Sequence, residues 1–131
     1  MFNYYIYRTY FNAKHSFNGD ITKIHGHSFT VVTYIGMKDS KEDIPFFKLE
    51  AIISSFIDQY RGRYLNELPE FEGCGNTLET IGDYFYEKLR KQLMKSGMEL
   101  YQLDISENPL CVYQVSDRML LPTMNMDTSN R

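Results

Sequence analysis

The sequence predicts an α+β domain of order ββααββ. Three observations carry this: β-branched and aromatic segments near both ends, two central stretches with apolar residues every three or four positions, and a length of 131 residues. A chain of that length closes one core and seldom supports two. One domain is therefore expected over residues 1–121, with 122–131 as a mobile C-terminal tail.

Residues 2–11 are dense in Tyr, Phe and Ile, types that fit a pleated surface, before Asn12 to Lys23 turns polar around Asn18-Gly19. A second strand is expected from Ser28 to Met37. Alternation puts Phe29, Val31, Thr33 and Ile35 on one face and Ser28, Thr30, Val32 and Tyr34 on the other. After the charged run Lys38 to Pro45, the spacing of Phe46, Leu49, Ile53, Phe56, Ile57 and Tyr60 predicts a helix from Pro45 to Tyr60. Asn76 with Glu79 three residues on resembles a capping box that opens a second helix. Its stripe is Leu78, Ile81, Phe85, Leu89 and Leu93, and Gly97 is its stop. Residues 98–106 and 110–115 flank Glu107-Asn108-Pro109 and read as a closing hairpin. The tail beyond Leu121 has little apolar content to bury.

Apolar residues make up 43% of the chain and charged residues 24%, ordinary values for a globular domain. The formal charge of −3 lacks the basic excess that backbone-driven nucleic-acid binding needs, so no nucleic-acid partner is expected. No run approaches the roughly 20 apolar residues of a spanning helix. Asn3 and Arg8 interrupt the N-terminal run, which reads as a strand and not a signal peptide. A cytoplasmic protein without a membrane partner is expected. Cys74 and Cys111 stand in no Cys-x-x-Cys arrangement and are expected as free, mostly buried thiols.

The three histidines of the chain, His15, His25 and His27, fall within thirteen residues. Residues i and i+2 of a strand share a face, so His25 and His27 present two imidazoles side by side, with only Gly26 between them. His15, leaving the neighbouring strand, supplies a third nitrogen. Three protein ligands with an open fourth position is the arrangement of a catalytic Zn2+. Ordinary polar histidines satisfied by water and backbone are the competing reading.

Phe11-Asn12-Ala13-Lys14-His15 and His25-Gly26-His27-Ser28-Phe29 resemble the Phe-x-Ala-x-His and His-Gly-His-Ser/Asn-aromatic signatures of the 6-pyruvoyl-tetrahydropterin synthase family, which includes the bacterial 6-carboxy-tetrahydropterin synthases. Arg63-Tyr64-Leu65-Asn66, Asn76-Thr77-Leu78-Glu79 and Ser106-Glu107-Asn108 agree more weakly. The resemblance implies the tunnelling fold, with both helices on one face of the sheet, and assembly into homo-trimers or homo-hexamers with sites at subunit interfaces. It implies that His15, His25 and His27 hold zinc and that Glu107 anchors a pterin by accepting its ring N–H groups, which a carboxylate can do two at a time. A solvated turn residue is the alternative for Glu107. Thr77 would lie beside the same ring, or would simply begin the helix.

The chain departs from the family pattern in three places. Ile21 stands where the family has a cysteine that acts as general base, Arg61-Gly62 stands where it has a proton-relaying Asp-His pair, and Pro45-Phe46 replaces a common Asp-Phe. Each proton transfer by a positioned group contributes about 10²- to 10⁴-fold, so most of the standard activity is expected to be lost. Asp20 and Cys74 are the candidate substitutes: Asp20 beside the lost cysteine, Cys74 ahead of a helix N-terminus that can lower a thiol pKa. Their competing readings are an Asn-Gly-Asp turn and a partly buried loop cysteine. The expectation is a divergent zinc-dependent lyase-type protein that binds a pterin or pterin-like substrate. The alternatives are a non-catalytic zinc-containing binding protein on the same oligomeric scaffold, or an enzyme repurposed for a non-pterin substrate.

Overall fold

The computed structural model describes residues 3–16, 25–39, 43–71, 77–118 and 120–123, with His25 described in its backbone alone. Four strands form one antiparallel sheet in the order β1-β2-β3-β4: β1 (Tyr5–His15), β2 (His25–Met37), β3 (Met98–Asn108) and β4 (Cys111–Val115). Between β2 and β3 the chain forms α1 (Phe46–Asp58), two short 3-10 turns (Leu65–Glu67, Pro69–Phe71) and α2 (Leu78–Met94). The predicted ββααββ order is the observed one. Among the described residues no helix is long and apolar enough to cross a membrane.

Several boundaries differ from the sequence reading. β1 continues four residues past Phe11, because its alternation persists: Phe11, Ala13 and His15 are buried while Asn12 and Lys14 face outward. β2 begins at His25 instead of Ser28 and pairs in register with β1 from His15↔His25 to Tyr5↔Ile35. Pro45 precedes α1 as its N-cap, and Tyr60 lies in the turn beyond it. The cap of α2 is Thr77 and not Asn76: Thr77 is extended (φ −77°, ψ 164°), and its hydroxyl accepts the N–H of Thr80 (3.2 Å). β3 runs through Glu107, so the hairpin turn is confined to the step between the paired residues Asn108 and Cys111. Cys111 is exposed, against the expected burial, because β4 is an edge strand and Cys111 begins it beside the turn. Cys74 lies outside the described residues.

Both helices cover one face of the sheet. Phe29, Val31, Thr33 and Ile35 are fully buried there, and Leu103 and Ile105 of β3 join them. Phe85 of α2 is the hub: its ring centroid lies 5.8 Å from Phe11 of β1, 5.1 Å from Phe56 of α1 and 4.9 Å from Tyr60. Gly82, one turn earlier, lets the helix approach closely, since a Cβ there would meet Tyr113 at 2.8 Å and Ile105 at 2.9 Å.

The opposite face is not open. Val32 and Tyr34 are buried on it, and residues 120–123 cross over them. Gln102 receives the N–H of Leu121 (2.5 Å) and donates to the Leu121 carbonyl (3.1 Å). Gln114 donates to Thr123 (2.6 Å), and Tyr34 shares its proton between Asp104 (2.8 Å) and the Pro122 carbonyl (3.0 Å). Residues 124–131 lie outside the described part of the chain.

Candidate metal centre

The β1–β2 register sets His15 opposite the backbone of His25 and Ala13 opposite His27, so His15 and His27 belong to the helix-covered face at one end of the sheet. His15 is buried, and its ring lies 5.3 Å from that of His27. Phe29 floors both imidazoles, at 5.7 Å from His15 and 6.3 Å from His27. Gly26 faces the other way: a Cβ there would meet nothing nearer than Lys14 Cγ at 4.0 Å, so its smallness does not serve the ligand side. An open cleft of about 320 Å³, lined by Asn12, Ala13, Lys14, Gly26, His27, Ser28 and Gly62, runs along this end of β1 and β2 with most of its lining on the outward face.

Glu107 reaches the same place from β3. It lies one residue beyond the last β2 pairing, Thr30↔Ser106, at a register shift where β3 carries an extra residue relative to β4. Alternation after Leu103 and Ile105 keeps it on the helix-covered face that His15 and His27 share. One Glu107 carboxylate oxygen lies 3.0 Å from His15 Nε2 and the other 3.5 Å from His27 Nε2. One ligand atom from each of His15, His27 and Glu107 falls within 4.8 Å of the others. Sequence reasoning assigned Glu107 to a turn and to ring binding; only a strand reading through Glu107 would have placed it among the histidines.

The loop end of β1 is fixed by the segment after α1. The Ser16 N–H donates to Asn66 Oδ1 (2.9 Å), and Asn66 Nδ2 donates back to the Ser16 carbonyl (3.0 Å). Ser16 Oγ and the Tyr64 hydroxyl are also hydrogen-bonded (2.7 Å). The residue next to His15 is thus held on both backbone groups, a role for Arg63-Tyr64-Leu65-Asn66 that the sequence alone did not reveal. Gly62 turns at φ +69° and donates its N–H to the Asn12 carbonyl (2.6 Å), and Lys14 donates to the Arg63 carbonyl (2.9 Å). Arg61 donates to Asp58 (2.6 Å) and to the Tyr10 carbonyl (2.7 Å). Arg61 and Gly62 therefore dock this segment onto β1.

Of the remaining candidates, Thr77 is placed at the N-terminus of α2, with its hydroxyl engaged by Thr80. Asp20, Ile21 and Cys74 lie outside the described residues, as does the His25 side chain. Burial, reinforced by the bond to Glu70, raises the Tyr60 hydroxyl pKa. The hydrogen bond to Asp83 is the main cause that pushes Tyr113 up to about 12.

No curated protein sequence matches this chain significantly. The fold is shared with solved structures. That of 6-pyruvoyl tetrahydropterin synthase from Caenorhabditis elegans superposes with a TM-score of 0.74 at 20% identity, over 88% of this chain and 96% of that one. The corresponding Plasmodium falciparum structure gives 0.63 at 16% identity, over 86% and 96%. An uncharacterized protein from Wolinella succinogenes gives 0.60 at 16% identity, over 88% and 99%. The sequence model described as 6-pyruvoyl tetrahydropterin synthase matches residues 5–118, from the first residue of β1 to just past β4. With its ββααββ order and its histidine-bearing strands, the chain belongs to the 6-pyruvoyl tetrahydropterin synthase family.

Proposed function

We propose that this protein is a divergent metal-dependent member of its family that binds a pterin or pterin-like small molecule. The observation that carries this is the convergence of His15, His27 and Glu107 at one end of the sheet. The imidazole nitrogens of His15 and His27 are donors suited to Zn2+. His25, opposite His15 in the strand register, would add a third imidazole from the same face. When bound, zinc supplies a Lewis acid for a carbonyl or hydroxyl of the substrate.

The residues of the chain divide the remaining work. Phe29 and the backing of Asn66 orient the imidazoles. Glu107 is the carboxylate that would accept ring N–H groups, and Thr77 would stand at the ring's edge. Asp20 and Cys74 are the candidate proton carriers in place of the family's cysteine and Asp-His pair. Assembly as a homo-trimer or homo-hexamer in the cytoplasm completes the reading.

A second reading, a zinc-containing binding protein without turnover, is favoured by Arg61-Gly62. The segment where a proton relay is expected is bound instead to the backbone of β1. The zinc-loaded protein should be incubated with 7,8-dihydroneopterin triphosphate and, separately, with sepiapterin. Binding with product formation supports the lyase reading, and zinc-dependent binding without product supports the second. If neither compound binds, the pterin assignment fails.

A further inference from the structure

The carboxylate of Glu107 lies between the two histidines, with a different oxygen on each: Oε1 on His15 Nε2 at 3.0 Å and Oε2 on His27 Nε2 at 3.5 Å. A lone acceptor for one imidazole N–H would not need that position. Alternation along β3 after Leu103 and Ile105 sets Glu107 on the histidine face, and its side chain is only 24% exposed, so much of its hydration is already lost. A partly desolvated carboxylate set between two imidazoles is suited to a cation that all three groups could hold.

We propose that Glu107 is itself a ligand of the metal, together with His15 and His27, and is not reserved for ring recognition. This rests on the metal-centre reading given above. A divalent ion held by two neutral imidazoles and one carboxylate keeps a net charge of about +1, and so still attracts an oxygen-bearing ligand. The added oxygen donor makes the site harder than an all-histidine one, which widens its tolerance toward Mn2+ and Fe2+. A carboxylate that binds the ion through one oxygen keeps the other as an acceptor for a ring N–H, so metal binding and ring recognition share Glu107.

Zn2+ and Co2+ binding to the wild type, Glu107→Gln and His27→Ala tests this, by chelator competition and by the visible spectrum of bound Co2+. Glu107→Gln should weaken both ions by at least about tenfold, and should shift the Co2+ bands, since one donor has changed. Equal affinity and an unchanged spectrum in Glu107→Gln, with a wild type that loads and a His27→Ala that does not, overturn the ligand role and leave the metal centre standing. A wild type that holds neither ion overturns both, and reduces the cluster to polar contacts between Glu107 and two histidines. The infrared difference spectrum of the wild type with and without Zn2+ needs no variant: a carboxylate band must shift on loading, and its absence counts against the proposal.

Discussion

Asn66 uses both ends of its amide on one backbone unit, receiving from the Ser16 N–H and donating to the Ser16 carbonyl. Acting on the backbone, it fixes the chain at Ser16, the residue after His15 at the end of β1. Asn66→Ala should leave a folded protein, at a cost of about 1–2 kcal/mol for two lost hydrogen bonds. It should also weaken Zn2+ binding by about tenfold, the lower end of the effect of supporting groups around a metal. Isothermal titration beside a thermal melt separates the two, and unchanged zinc affinity would show that strand pairing alone holds His15. At this scale the sequence was only partly legible. Clustering exposed the histidines, but Asn66 acts across fifty residues of chain, and no local pattern announces such a pairing.

Among the elements, α2 binds the molecule together, because Phe85 touches β1, α1 and the turn after α1 at once. Phe85→Ala should destabilise the fold by about 3–5 kcal/mol, the range for a fully enclosed aromatic ring, measurable by urea denaturation. A loss under about 1 kcal/mol would mean that the core collapses freely around the gap. Helices and strands were legible in kind from their periodicity, since an amphipathic stripe is a local property. Their ends were less so. Polar Asn12 and Lys14 suggest a loop, when in fact they occupy the outward positions of a continuing strand. Glu107-Asn108-Pro109 has the composition of a turn, while the glutamate is a bulge residue inside β3.

For the whole molecule, the buried polar row under residues 120–123 couples folding to pH. Asp104 receives bonds from Tyr34 and Gln102, but burial is the larger influence and raises its pKa above 3.8. The native state therefore holds this proton to higher pH than the unfolded chain does. The resulting contribution to stability is fully present below the unfolded pKa and is lost as pH rises through the raised native value. Asp104→Asn should remove that component, so the stability of wild type relative to the variant should fall between about pH 4 and the raised native pKa. Denaturation at several pH values checks this; a constant difference would mean that Asp104 binds its proton equally well in the folded and unfolded chain. The row has no local signature, since a polar stretch carries no pattern that points to Gln102 and Tyr34 as partners of its carbonyls. The place of Glu107 in β3 also limits how the chain can change length. A strand counts residues in twos, so losing one residue from β3 ahead of Glu107 would swing the carboxylate to the far side of the sheet. Added residues in the turn between Asn108 and Cys111 would leave it where it is. The hairpin tip is thus open to insertion, while the stretch just before it has a fixed parity.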